Sequence, residues 1–443
     1  MSQPASIAPP TRAEAFRYWL RLGFVSFGGP AGQIALMHRD LVDERRWISD
    51  RRFLHALNYC MLLPGPEAQQ LATYIGWLLH RTWGGIVAGV LFVAPSLALL
   101  IALSWLYVVY GDVPLVAATF AGIKPVVIAI IAHAAWRIGK RALRHPLHWA
   151  IAIAAFVALT VFRAPFPAIV LAAAVIGAIA ARFAPSTVPD AAHAKGSGAA
   201  SAPAVIDDDT PPPAHAAFST RALVRVLLVC AVIGLSAFVV LVALAGADNE
   251  LVRMAWFFTK AAFLTFGGAY AVLPYVNQAA VESYAWLTAK QMMDGLALGE
   301  ATPGPLIMIV AFVGFLGGWS KAVFGPDTLV WAGFAGATVA TFFTFLPSFL
   351  FILAGGPLVE STRGEMRYTA PLAGVTAAVV GVIANLAWSF ATHVLLSNGR
   401  PDFVAIAIAF AAAFALFRNL AGVIPVIAAG ALIGLAGGLL RAP

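Results

Sequence analysis

The sequence predicts an all-α polytopic membrane protein, and three observations lead to that prediction. Hydrophobic residues make up 61% of the 443 positions and charged residues only 11%, whereas a soluble domain is about 25% charged. Apolar runs such as Ile86–Val109 and Leu223–Leu244 reach the roughly 20 residues that a helix needs to cross a bilayer. These runs do not alternate polar and apolar residues, so they exclude the strands of a membrane β-barrel.

An internal duplication is the next feature of the chain. Phe24-Val-Ser-Phe-Gly-Gly29 recurs as Phe263-Leu-Thr-Phe-Gly-Gly268, and Pro64-Gly-Pro66 recurs as Pro303-Gly-Pro305, both 239 positions later. Shared apolar composition would match scattered alanines and leucines, but it would not keep whole motifs in one register. Repeated motifs at a fixed offset indicate repeated structural units. We therefore predict two homologous repeats of about six hydrophobic segments each, with 10–13 membrane segments in all.

The repeats divide the chain into five parts. The segment between them is rich in Ala, Pro, Ser and Gly. Because it offers too little apolar surface to fold, its composition predicts disorder. The predicted parts are an N-terminal tail at residues 1–13, a first repeat at 14–183, a disordered cytoplasmic linker at 184–218, a linking transmembrane helix at 222–245 and a second repeat at 250–441.

The charges indicate how the repeats are oriented. An even number of segments plus one linking helix turns the second repeat upside down, and inverted repeats around a central site are a common plan of transporters. Basic residues cluster at 39–52 and at 137–144, and the matching loops of the second repeat nearly lack them. The positive-inside rule places both clusters on the cytoplasmic side. This is possible only if helices break or re-enter at the Gly-Gly and Pro-Gly-Pro motifs.

These broken helices are the predicted anion site. Proline and glycine end helices, and the helix that restarts offers unpaired N–H groups to an anion. A packing kink is the competing interpretation of each break. Buried cations would strengthen such a site, although the cations near helix ends could instead reach the membrane surface. The predicted anion-binding or translocation residues are Arg21, Gly28, Gly29, Pro30, Pro64, Gly65, Pro66, Gln70, Lys124, Lys260, Gly267, Gly268, Pro303, Gly304 and Pro305.

Three further residues are candidates for proton coupling. Glu67 follows the first Pro-Gly-Pro, Glu300 precedes the second, and His133 lies in the fourth segment. A buried carboxylate can take up and release a proton, but it could equally cap a helix or pair with Arg21 or Lys260. A lone histidine is more often simply hydrogen-bonded. The sequence has no catalytic arrangement, no metal-binding cluster and no nucleotide-binding loop. We therefore expect no enzyme activity, no metal or cofactor, and no nucleic-acid partner.

At this point the motifs resemble a known family. Ser26-Phe-Gly-Gly-Pro30, Trp47 and Leu63-Pro-Gly-Pro-Glu-Ala-Gln-Gln70 are similar to the signature of the chromate ion transporter (CHR) family. Thr265-Phe-Gly-Gly268 and Ala301-Thr-Pro-Gly-Pro305 resemble its C-terminal half, so the chain looks like the long two-domain form. Ala269 departs from the pattern, because it replaces the proline that follows the first Gly-Gly.

The resemblance implies a function as well as a fold. It implies efflux of chromate from the cytoplasm across the plasma (inner) membrane, driven by the proton-motive force or the membrane potential, and hence chromate resistance. Sulfate is the expected competitor, since both ions are tetrahedral dianions. Membrane lipid is an expected partner, and a homodimer is one candidate assembly. Two alternatives stay open: a transporter of another oxyanion such as sulfate or molybdate, and a membrane enzyme.

Overall fold

The computed structural model describes residues 8–27, 29–183, 203–208, 210–211, 213–361, 369–397 and 400–441. Within these ranges nearly all regular structure is helical, apart from a ribbon of Leu396–Ser397 with Arg400–Pro401. Among the described residues, six helices are long and apolar enough to cross a membrane, and four shorter apolar helices accompany them. The predicted all-α polytopic class is confirmed, whereas the number of membrane segments stays a prediction.

Both halves begin with short helices and continue with long ones. The helices of the first half are α1 (Arg12–Val25), α2 (Gly29–His38, extended by a π turn at Arg39–Glu44), α3 (Asp50–Leu62), α4 (Glu67–Tyr110), α5 (Pro114–Ala142), α6 (Pro146–Thr160) and α7 (Phe166–Phe183). The linking helix is α8 (Thr220–Ala245). The helices of the second half are α9 (Glu250–Phe263), α10 (Ala269–Asn277, extended at Gln278–Ser283), α11 (Ala289–Ala301), α12 (Ile309–Ser320, after a 3-10 turn at Leu306–Met308), α13 (Leu329–Ser361), α14 (Thr369–Val394), α15 (Phe403–Phe417) and α16 (Val423–Arg441).

Helix α4 reverses direction part of the way along. His80 and Arg81 have non-helical backbone angles, and beyond them the chain packs back on itself. Gly76 lies so close to Gly84 that an added Cβ would come within 2.5 Å of the Gly84 carbonyl oxygen. Helix α4 therefore has a short arm (residues 67–79) and a long arm (residues 82–110) that run antiparallel.

The short arm of α4 forms a hairpin with α3, and α12 forms a similar hairpin with α11. Arg52, near the start of α3, lies 2.8 Å from Glu360, whose carboxylate also accepts a 2.5 Å hydrogen bond from Tyr74 near the end of the short arm. In the second hairpin the hydroxyl of Ser320 donates to the carbonyl of Trp286 at 2.8 Å. In each hairpin, therefore, the start of the first helix lies beside the end of the second, and the Pro-Gly-Pro motif forms the tip between them.

The two hairpins open toward opposite ends of the molecule. The long arm of α4 leaves the open end of the first hairpin, and Tyr107 near its other end donates a 2.8 Å hydrogen bond to Asp294 of the second hairpin. A helix of this length spans about 40 Å, more than the roughly 30 Å hydrocarbon core of a bilayer. This is the arrangement that an inverted pair of repeats requires.

Part of the segment between the two halves packs against the first half. The amide of Ile206 donates to the carbonyl of Trp47 at 3.1 Å, and the amide of Ser49 donates to the carbonyl of Ile206 at 2.9 Å. The Ile206 side chain is buried, and the ring of His215 lies 2.9 Å from the Trp77 carbonyl oxygen. These contacts join residues of this segment to the first half. The disordered linker at 184–218 stays a prediction, and residues 184–202 lie outside the described residues.

Candidate functional site

The four helix breaks meet in pairs inside the molecule. The amide of Gly65 donates to the carbonyl of Thr265 at 2.7 Å, and the amide of Gly304 donates to the carbonyl of Ser26 at 2.8 Å. These two bonds are equivalent, because position 65 corresponds to 304 and position 26 to 265 in the register of 239 residues. Gln33 strengthens the second contact by donating to the carbonyls of Ser26 and Gly304. Each Pro-Gly-Pro tip therefore binds the break of the other half.

Two structural features require glycine at each tip. Gly65 and Gly304 have φ angles of 128° and 101°, which L side chains rarely adopt. A Cβ on Gly65 would lie 2.6 Å from the hydroxyl oxygen of Ser348, and a Cβ on Gly304 would lie 2.6 Å from the Cβ of Ser96. The prolines on both sides interrupt the helix, since proline cannot donate the next helical hydrogen bond.

A cavity of about 590 Å³, the main cavity, lies beside this crossing. It reaches from Pro30, at the start of α2, to Gly268, directly before α10. Most of its wall is apolar, which strengthens electrostatic interactions inside it. The polar side chains that line it are His38, Glu67, Arg137, Arg141, Tyr270 and Thr376.

One part of the main cavity is suited to an oxyanion. Arg137 and Arg141 are four residues apart on α5 and therefore share one face of that helix. Helix α10 begins at Ala269, and its first turn lies at the same cavity. A helix N-terminus carries partial positive charge and unpaired N–H groups, and guanidinium groups bind oxyanions with paired hydrogen bonds. Together these groups can hold a tetrahedral dianion.

Two carboxylates lie at the same place. Glu67, the first residue of α4, is half-buried, and its Oε1 is 3.3 Å from the point where a Cβ on Gly268 would stand. Arg141 and Arg137 both act on it electrostatically. Glu300 is buried and accepts a 2.5 Å hydrogen bond from the hydroxyl of Tyr270, which itself lines the cavity. The two predicted proton-coupling carboxylates are thus beside the anion environment rather than paired with Arg21 or Lys260.

Several predicted residues shape the breaks, and one of them, Gly267, also lines the main cavity. Gln70 is buried and donates to the carbonyl of Pro64 at 2.8 Å, which holds the first tip in place. Pro66 precedes α4, and Pro303 and Pro305 flank the second tip, all three of them buried. Gly29, with a φ of 68°, starts α2, and Gly267 lines the main cavity. Gly28 lies outside the described residues.

Four other predicted residues lie away from the main cavity. Arg21 is exposed on α1, and the Lys260 ammonium lies 5.4 Å from the ring centre of Trp256. His133 packs against the rings of Trp136 and Phe417. Lys124 lies 3.4 Å from Asp294, so its charge is already balanced. Their predicted roles in anion binding, translocation or proton coupling stay predictions, and the structure places them away from the main cavity.

Arg137 and Arg141 are the site residues that the sequence analysis missed. They counted there only as members of a basic cluster that sets the orientation. Their spacing of four residues at the end of an apolar helix was a usable signal, since it puts two cations on one helix face. What brings that face to Glu67 and Gly268 is the packing of two halves far apart in the chain, which no local pattern shows.

A polytopic helical protein whose broken helices cross beside a charged cavity is, as a class, a membrane transporter. The chain belongs to the chromate transporter family, whose family model matches residues 13–178 and 252–435. The predicted family is thereby confirmed, and so is the prediction that the chain is not an enzyme, because this is a family of transporters.

Individual relatives agree over most of their length. The chain is 34% identical over 383 residues to the chromate transport protein of Pseudomonas aeruginosa, covering 85% of this chain and 81% of the relative. It is 32% identical over 430 residues to the chromate transport protein of Cupriavidus metallidurans, covering 96% and 93%. A probable chromate transport protein of Synechococcus elongatus is 28% identical over 371 residues, covering 83% and 82%. No solved structure matches the chain.

Proposed function

We propose that this protein exports chromate from the cytoplasm across the plasma (inner) membrane, driven by the electrical part of the proton-motive force, and thereby confers chromate resistance. The relatives named above support the cargo. The observation that carries the proposal is the convergence of Arg137, Arg141 and the start of α10 beside Glu67 in one cavity.

The charges around the main cavity support its use as the cytoplasmic entrance. His38, next to the basic segment 39–52, and Arg141, in the basic segment 137–144, line the same cavity. Clusters of Lys and Arg stay on the cytoplasmic side of a membrane. An anion that enters there is drawn toward the two guanidinium groups, so the cavity both concentrates and binds it.

The half-buried Glu67 carboxylate links the anion to a proton. A dianion is costly to bury unless nearby charges compensate it, and Arg137 and Arg141 supply two positive charges while Glu67 opposes them. A proton on Glu67 removes that opposition when the anion binds. A dianion with one proton still carries a net negative charge, so a membrane potential that is negative inside drives it outward. That drive is about 2.3 kcal/mol per charge for each 100 mV.

Selectivity among oxyanions should be modest. Guanidinium groups and helix N–H groups recognise charge and tetrahedral shape, which chromate, molybdate and sulfate share. We therefore expect sulfate to compete, and transport of one of these other ions is the alternative function. The membrane-enzyme alternative is set aside, because the chain belongs to a transporter family.

Inverted membrane vesicles test the proposal. With an imposed potential, wild-type vesicles should take up labelled chromate, and excess sulfate should lower the uptake. Arg137→Gln and Arg141→Gln should each lower uptake at least about tenfold, equivalent to about 1.4 kcal/mol. Arg144→Gln is the matched control, since it removes a charge from the same cluster without altering the cavity wall. Absence of chromate uptake by the wild type would refute the proposal, and sulfate or molybdate uptake instead would establish the alternative.

A further inference from the structure

A second, smaller cavity lies at the opposite end of α5 from the main cavity. It has a volume of about 270 Å³, and its charged lining residues are Asp112, Lys124, Lys290 and Asp294. Seventeen residues of α5 separate Lys124 from Arg141, which corresponds to about 25 Å along the helix axis. The second cavity also borders the open end of the second hairpin, at Trp286 and Ser320. The two cavities thus lie at opposite ends of the molecule.

The ion pair in the second cavity is buried, and its two charged groups are not in close contact. The Lys124 ammonium lies 3.4 Å from Oδ1 of Asp294, and the two side chains are only 12% and 2% exposed. The other carboxylate oxygen of Asp294 accepts a 2.8 Å hydrogen bond from Tyr107. Within the described part of the chain, Oδ1 has no hydrogen-bond partner closer than this lysine. A lysine ammonium is a compact charge on a flexible stem, so it can leave one oxyanion for another.

We propose that the second cavity is a second anion-binding station, in which Asp294 holds Lys124 while the station is empty and yields it to the anion when the station is filled. This inference rests on the proposed function, because it gives the exported anion a site near its exit. A permanently free buried lysine would hold a dianion too tightly. Passage requires binding that is strong enough to admit an ion and weak enough to release it. Asp294 competes with the anion for Lys124 and thereby makes release possible.

The neighbouring charges fit this role. Lys290 lines the same cavity and adds a second positive charge for a dianion. Asp112 lines it as well, near the turn that precedes α5, and adds a negative charge that opposes prolonged binding. The hydrogen bond from Tyr107 fixes the Asp294 carboxylate at its place, so the lysine rather than the carboxylate moves when the anion arrives.

A second buried pair in the molecule provides the control. Arg52 and Glu360 are also almost fully buried, but they lie 2.8 Å apart, and within the described residues neither lines the main or the second cavity. Their pairing joins the start of α3 to the end of α13. Its loss should lower the melting temperature of the purified protein without changing the affinity for chromate at either face.

The test compares the two faces of the membrane. Labelled chromate is supplied to right-side-out vesicles and to inverted vesicles, and KM and maximal flux are measured at each face. Asp294→Asn should lower the KM at the outer face about tenfold and slow maximal export, because Lys124 no longer has a competitor. Lys124→Gln should raise that KM about tenfold or more. Arg52→Gln is the matched control with a similarly buried pair.

The outcomes separate this inference from the proposed function. Failure of the wild type to move chromate would be a failure of the proposed function. A wild type that moves chromate, together with an Asp294→Asn variant of unchanged outer-face KM, would overturn the second station alone. If Asp294→Asn does not reach the membrane, Tyr107→Phe decides the question, since it keeps both charges. Without the tyrosine hydrogen bond, the Asp294 carboxylate can follow Lys124 and compete more strongly with the anion, so the outer-face KM should rise about threefold, and an unchanged value overturns the inference.

Discussion

The two hairpins share a backbone path but differ in chemistry. After its Pro-Gly-Pro tip the first hairpin carries Glu67, Gln69 and Gln70, whereas the corresponding positions of the second hairpin hold Leu306, Met308 and Ile309. Before the tip the difference is reversed. There the second hairpin carries Asp294 and Glu300, and the first has His55 and Met61 at the matching positions.

This difference shows which features of a duplicated unit are kept and which diverge. The glycines and prolines remain in both halves, because each tip donates its amide to the break of the other half. Side chains are free to change once that crossing is formed. Buried polar groups are costly unless they are used or hydrogen-bonded, and at these matched positions each half keeps its acidic and amide side chains on one side of its tip.

The largest effect should come from substituting the tip glycines. Gly304→Ala adds left-handed strain of about 1–2 kcal/mol and a clash with the Cβ of Ser96, which cannot move away without its helix. Gly65→Ala meets the ends of Gln70 and Ser348 instead, so it should cost less. We expect Gly304→Ala to abolish accumulation of folded protein and Gly65→Ala to lower its melting temperature. Gly29→Ala, where a Cβ meets no atom within 4 Å, is the control.

The next effect concerns the first residue after each tip. Glu67→Gln should lower chromate flux at least about tenfold while leaving the melting temperature close to that of the wild type, because Glu67 is half-buried beside the main cavity. Leu306→Gln places an unsatisfied amide in a buried site, which costs about 1–3 kcal/mol, but it should leave the flux per folded molecule unchanged. Equal losses of flux in the two variants would contradict a functional difference between the hairpins.

A smaller effect concerns the loops before the two hairpins. The loop at Trp47 is covered by the linker through Ile206, whereas Trp286 is held within its own half by Glu250 at 2.8 Å. Ile206→Asp should release the linker, because burial of an isoleucine contributes about 1.5–3 kcal/mol. We expect limited proteolysis at residues 203–218 to become about tenfold faster. The exposed neighbour substitution Ala217→Asp should leave the rate unchanged.

The smallest effect is a pH dependence of the same linker. Burial lowers the pKa of His215 below its ordinary value of 6.5, so the docked linker favours the neutral ring. Docking is therefore fully stable above pH 6.5 and weakens as the pH falls below that value, since the released ring binds the proton more readily. Proteolysis of the linker should accelerate about twofold to threefold from pH 7.5 to pH 5.5. A His215→Gln variant should lose this dependence, and an equal acceleration in that variant would exclude His215 as its source.

Much of the fold was accessible from local patterns. Apolar runs predicted the membrane class, and the Gly-Gly and Pro-Gly-Pro motifs lie where helices end at Val25, Leu62, Phe263 and Ala301. These features are local, because proline and glycine act on the backbone of their own residue. Glu67 and Glu300 were proposed for the same reason, since they adjoin the motifs, and the structure places both near the main cavity.

The sequence by itself determined the class, the doubled set of motifs and the positions of the helix breaks, because hydrophobicity and backbone freedom belong to single residues and short segments. Only the tertiary structure decided which charges meet. It brought Arg137 and Arg141 to Glu67, balanced Lys124 with Asp294 and gave Ile206 a surface to pack on. Such contacts join segments far apart in the chain, and their energies depend on burial and distance, which a sequence pattern does not contain.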